Sequence, residues 1–87
     1  MRLSKKSDYA LRAMMTLASD SDRLFSIRTI AEQNDIPRRF LEHIMLDLKN
    51  KGWVKAVTGR DGGYTLAVKA SELAVGTIVR YFDEMLA

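Results

Sequence analysis

The residues able to do chemistry gather in two short stretches. The first, PRRFLEH, holds Arg38, Arg39, Glu42 and His43, the chain's single histidine. The second, VTGRDGGY, sets Arg60 and Asp61 among Gly59, Gly62 and Gly63. An arginine fork can bond two acceptors on guanine, a glutamate can accept from the amine of cytosine, and a histidine can donate to a base or a phosphate. A long planar cation at the tip of a glycine-rich turn suits a narrow groove of enhanced negative potential. Both stretches therefore point to non-covalent recognition of a polyanion. Plainer readings stand beside these: Glu42 paired with Arg38 or Arg39 in solution, His43 as a surface side chain, and Arg60 solvated on a loose hairpin.

The charge distribution agrees with the polyanion reading. The 87 residues carry a formal charge of +3. Residues 1–36 hold six Lys or Arg and five Asp or Glu, while residues 61–87 hold two and four. Between them, residues 37–60 hold six basic side chains against two acidic ones. A basic zone confined to one segment is the electrostatic footprint of nucleic acid, although a solvated helix face has the same composition.

Other chemistries find no residues to carry them. The chain has no cysteine, which excludes disulfides, thiol catalysis and cysteine-held metals within it. One histidine with scattered serines and aspartates offers no nucleophile–base–orienter set, so an enzyme is not expected. GRDGG matches neither a Walker loop nor a dinucleotide fingerprint in spacing or context. Nor does any apolar run approach the roughly 18 residues of a membrane span. The charged start MRLSKKSDYA lacks the apolar core of a signal peptide, and a cytoplasmic protein is expected.

The elements that must position these residues follow from period and punctuation. Ser4 can cap a first helix through SDYALRAMMTLAS, with Tyr9, Ala10, Ala13, Met14, Leu17 and Ala18 at helical spacing and Met14 and Met15 as core filler. Ser26 caps IRTIAEQN, with Ile27, Ile30 and Ala31 as its apolar stripe. Asn34 and Asp35 turn the chain, Ile36 plugs the core and Pro37 opens a third helix. In that helix Phe40, Leu41, Ile44, Met45 and Leu48 face inward, and Gly52 ends it. Two short helices joined by a tight turn make a helix-turn-helix, spanning about 26–51.

After Gly52 the period changes to that of strands. WVKAV, with Trp53 and Val57 inward, and YTLAV flank the six-residue loop TGRDGG, giving a hairpin over about 53–68. Ser71 caps a last helix over about 71–86, with Leu73, Ile78, Val79, Phe82, Met85 and Leu86 apolar. Its later apolar residues either begin a dimer surface or pack on the first helix. The whole is one domain, 1–87, mainly α with a small β-hairpin: a winged helix-turn-helix.

In such a fold the second helix of the motif enters the major groove by its N-terminal residues, here Arg38, Arg39, Glu42 and His43. Successive helical residues diverge, so of Arg38 and Arg39 one is expected on a base and the other on a phosphate. Lys49 and Lys55 are expected on phosphates. The wing, Thr58, Gly59, Arg60, Gly62, Gly63 and Tyr64, is expected along the minor groove, its glycines allowing close approach.

The stretches MRLSKKSDYALRAMMTLA, IAEQNDIPRRFLEHIMLDLKNKGWV, GRDGGYTLA and AVGTIVRYFDE, in this order, resemble the Rrf-two family of bacterial repressors. The resemblance covers nearly the whole chain. It implies a homodimeric transcription factor on a palindromic operator, with double-stranded DNA as partner. In the family's sensors a three-cysteine segment holds an iron–sulfur cluster, and a long dimerisation helix follows. This chain ends about where that segment would begin. It therefore reads as part of a longer protein; no cofactor is expected within it, and a cluster only if the rest supplies cysteines. By the same resemblance Glu42 occupies the family's recognition-helix glutamate position and His43 follows where a polar base-reading residue is usual. The family's wing usually reads Val-Arg-Gly, whereas this chain has Val57-Thr58-Gly59, with Arg60 two residues further on.

Two other functions share the fold. A winged-helix protein-interaction module would tolerate charge reversal at Arg38, Arg39 and Arg60 and bind no DNA at low salt. A binder of structured RNA would prefer A-form duplexes.

Overall fold

In the computed structural model, which describes residues 4–72 and 75–85, Ser4 and Asp83 join the two ends of the chain. Helix α1, Lys5–Ser19, starts at Ser4, whose hydroxyl accepts from the Ser7 amide at 3.1 Å. The Ser4 and Ser7 hydroxyls both donate to Asp83 Oδ1, at 2.8 and 2.6 Å. Ser7 is fully buried, so its hydroxyl needs such a partner. Asp83 lies on α4, Val75–Met85, and its carboxylate sits where the positive end of α1 favours negative charge.

The Ser7 hydroxyl, with that of Ser4 behind it, holds the Asp83 carboxyl below its ordinary pKa. A group held lower in the folded state than in the unfolded chain stabilises above its unfolded pKa, and that contribution is lost as pH falls through the folded value. Asp83→Asn should therefore lower the melting temperature at pH 7. It should also flatten the fall in melting temperature below about pH 4, where free aspartate protonates. Thermal melts from pH 2 to 7 on both proteins check this; parallel profiles would contradict it.

Helix α2, Ile27–Asn34, is capped by Ser26, which accepts from the Thr29 amide. It stops at Asp35, which adopts the left-handed conformation (φ 53°) that aspartate tolerates better than most residues. Ile36 then buries its side chain, 4% exposed. The turn is tied to α1 through Asn34. Its amide donates to Thr16 Oγ1 at 2.8 Å, and its carbonyl accepts from Arg12 at 3.3 Å. Helix α3, Arg38–Asn50, follows with Pro37 at its N-cap. It ends as expected at Gly52: the Trp53 amide bonds the Leu48 carbonyl and the Gly52 amide bonds that of Lys49, a Schellman closure.

Strands β1, Val54–Val57, and β2, Gly63–Leu66, pair antiparallel with Val54 opposite Leu66 and Val57 opposite Gly63. Phe25 adds a bridge on the other edge of β2, exchanging both backbone bonds with Tyr64 at 2.8 and 2.9 Å. The core lies where α1 meets α2, α3, β2 and α4. It contains Ala10, Ala13, Met14, Leu17, Ile30, Leu41, Ile44, Met45, Leu48, Val54, Ile78 and Phe82. Among the described residues, no helix is long and apolar enough to cross a membrane.

Several sequence expectations are corrected. Met15 is 70% exposed on the outer face of α1, because its neighbour Met14 takes the core position. Phe40 is not inward: it is 39% exposed and meets the edge of Tyr9 at 5.5 Å, being a quarter turn from the buried stripe. The parity of β1 is opposite to that expected. Val54 is buried and Val57 is 44% exposed. Trp53 lies outside the strand and is half-buried beside Tyr81. The loop between the strands is Thr58–Gly62, because Gly63 pairs with Val57. Ser71, expected to cap the last helix, lies in the 3-10 turn Ala70–Glu72, and among the described residues α4 runs from Val75. Val79 and Phe82 are buried, which places them in the domain's own packing. Leu73 and Leu86, and the side chain of Met85, lie outside the described residues.

Candidate nucleic-acid interface

Helix α3 has its buried stripe at Leu41, Ile44, Met45 and Leu48. At 3.6 residues per turn the opposite stripe comprises Arg39, Glu42, His43, Leu46 and Asn50, with Lys49 at its margin. All six are exposed. The structure thus brings Arg39, Glu42 and His43 together on one face, as the sequence leads one to expect. Arg38 diverges from Arg39. It leans over Glu42, with Nε 3.8 Å from Oε1, and lines a hollow with Arg28, Glu32, Asp35 and Ile36. At that separation, and with both side chains more than half exposed, the pair contributes little. It does not commit Glu42.

The other acid of α3 is committed elsewhere. Asp47 accepts a salt bridge from Lys6 of α1 at 3.2 Å, with both side chains only about a fifth exposed. This removes a negative charge from the outward side of α3. Lys51 is also occupied, its ammonium lying 4.8 Å from the centre of the Tyr81 ring and 5.8 Å from that of Trp53. By contrast, among the described residues Arg39, Lys49, Lys55 and Arg60 enter no salt bridge. Lys55 projects from the outer side of β1, across from Thr65.

The wing divides into two parts. Thr58, Gly59, Arg60 and Asp61 form its exposed tip. Gly59 has φ +118°, a conformation other residues rarely adopt. Gly62, Gly63 and Tyr64 are half-buried and serve the hairpin itself. A Cβ at Gly62 would overlap the Val57 carbonyl, and one at Gly63 would lie 2.8 Å from the Phe25 carbonyl oxygen. These two glycines are thus required by the chain's own backbone, independently of any approach to a ligand. Tyr64 packs against the core while its backbone holds Phe25.

Sequence reasoning passed over Leu46, which is 54% exposed on the outward stripe. Its spacing, four residues after Glu42 and three after His43, was the available signal.

Comparison with known proteins gives one answer. Residues 3–87 match the Rrf2 (Rrf-two) family, described as an iron-dependent transcriptional regulator. A putative HTH-type regulator, rrf2-like, from Rhodobacter capsulatus is 38% identical over 98% of this chain. The IscR regulator of Serratia proteamaculans is 38% identical over 97% of it. The solved T. potens IscR superposes with a TM-score of 0.86 at 34% identity, covering 92% of this chain and 59% of that one. CymR, the global cysteine regulator of B. subtilis, gives 0.85 at 32% identity, covering 92% and 63%. The chain spans 59% of the Rhodobacter protein's length and 52% of the Serratia protein's. These relatives are transcriptional regulators and not enzymes, and the two solved ones share this fold: the chain belongs to the Rrf2 family of transcriptional regulators.

Proposed function

We propose that this chain is the DNA-reading domain of a transcriptional repressor that binds a palindromic operator as a homodimer. One observation carries the reading: the outward stripe of α3 presents Arg39, Glu42 and His43 exposed, while Asp47 and Lys51 of the same region are held by the fold. The stripe enters the major groove. Arg39 donates to a base edge, His43 to a base or the adjacent phosphate, and Glu42 accepts from a cytosine amine. Arg38, which diverges toward α2, takes a phosphate, as do Lys49 and Lys55. The tip at Thr58–Arg60 lies along the minor groove, with Arg60 as its cation. Gly62, Gly63 and Tyr64 hold that tip in place.

The family description implies iron, and the donor set of these residues does not fit it. There is no cysteine and only one histidine. Among the described residues, no three acidic, histidine or cysteine side chains gather as a metal site. Any cluster would draw its ligands from outside these residues.

Fluorescence anisotropy of a labelled mixed-sequence duplex, titrated at 20 and 150 mM salt, tests the reading. Binding should weaken steeply with salt, because each neutralised phosphate releases counterion. An absence of binding at the lower salt would sink the proposal and favour a protein-interaction module.

A further inference from the structure

Leu46 stands on the outward stripe of α3 with 54% of its surface exposed, and the core has no use for it, since Ile44, Met45 and Leu48 fill the inward positions. A single exposed leucine is ordinary on a soluble protein. This one is set apart by its neighbours: Glu42 and His43 lie one turn before it, Lys49 and Asn50 one turn after, and all four are exposed. A protein partner covering Leu46 would have to take the glutamate, the histidine and the lysine out of water with it, a large cost unless each were paired. The major-groove edge of DNA has the opposite character. It offers hydrogen-bonding groups on every base pair and one apolar group, the C5-methyl of thymine.

We infer that Leu46 is a specificity-determining residue that packs its branched end against the C5-methyl of a thymine. The inference rests on the DNA-reading function proposed above and adds a base identity to it. Along the helix Leu46 lies about 4.5–6 Å beyond His43 and Glu42, against a base-pair rise of about 3.4 Å. The thymine is therefore one or two base pairs further along the groove than the pair that Glu42 and His43 address. Its readout needs no hydrogen bond.

The test selects duplexes from a random-sequence library with this 87-residue chain at low salt. The thymines of the enriched duplex are then replaced one at a time by deoxyuridine, which removes the methyl and leaves the hydrogen-bonding edge unchanged. The wild-type protein should lose about three- to tenfold in affinity at one position. Leu46→Ala should bind thymine and deoxyuridine alike there, keep its preferences at the other positions, and melt like the wild type because the side chain is exposed. An enriched duplex that is indifferent to every deoxyuridine, or a Leu46→Ala protein that retains the wild-type loss, would overturn the inference alone. Failure of the wild-type chain to enrich any sequence would overturn the inference together with the DNA-reading function beneath it.

Discussion

Phe82→Ala should lower the stability of the domain by about 3–5 kcal/mol, the range for removing a fully buried aromatic side chain. Phe82 is 0% exposed, meets the edge of Tyr81 at 5.0 Å and lies under the Lys6 ammonium at 5.7 Å. It is the main apolar anchor by which α4 closes on α1. A chain of this length has about 4–13 kcal/mol in all, so the loss takes a large part of the total. Differential scanning calorimetry should show the melting temperature falling by roughly 15–30 °C. Arg80→Ala on the exposed side of the same helix should change it little. A Phe82→Ala melt within a few degrees of the wild type would show that α4 is not a structural closure of the domain.

Arg39→Ala and Glu42→Ala should each cost about 1–3 kcal/mol of affinity for the preferred duplex, roughly five- to 150-fold, and much less on random duplex. Both side chains are exposed and neither is needed by the core. Their loss should leave the fold intact and remove base contacts only. Lys49→Ala and Lys55→Ala should behave differently. They remove phosphate contacts, which position the protein without reporting sequence. Preferred and random duplexes should weaken together, and the salt slope should fall by about one for each lysine. Equilibrium titrations of the four variants on both duplexes separate the two classes. If all four scaled both duplexes equally, α3 would not be the reading helix.

How much of this was legible in the sequence depends on which physical signal each element leaves. The caps at Ser4 and Ser26, the turn at Asn34–Asp35 and the closure at Gly52 are local backbone requirements, and local residues announce them. The buried stripe of α3 follows from its 3.6-residue period. Adjacent apolar residues were harder. Met14 and Met15 are chemically alike, and only tertiary packing decides that Met14 is buried and Met15 exposed. The same holds for Val54 and Val57, because a four-residue strand is too short for its alternation to fix which face meets the core.

In the candidate site, the sequence identified the cations and not their commitments. That Asp47 is tied to Lys6 and Lys51 to the Tyr81 ring depends on residues more than 25 positions away. The glycines of the wing illustrate the same limit. Their composition suggests clearance for a ligand. The backbone carbonyls of Val57 and Phe25 show that Gly62 and Gly63 first make room for the hairpin itself. Ser7 and Asp83, 76 positions apart, gave no local sign of their hydrogen bond.

The most direct test of the central claim, that the outward stripe of α3 reads double-stranded DNA by sequence, is the ratio of affinities for the preferred and a scrambled duplex, compared between wild type and Arg39→Ala. The account predicts that this ratio falls at least fivefold in the variant while affinity for the scrambled duplex changes by less than about threefold. A ratio unchanged by the substitution, with both affinities shifted together, would contradict it and leave Arg39 as a phosphate contact.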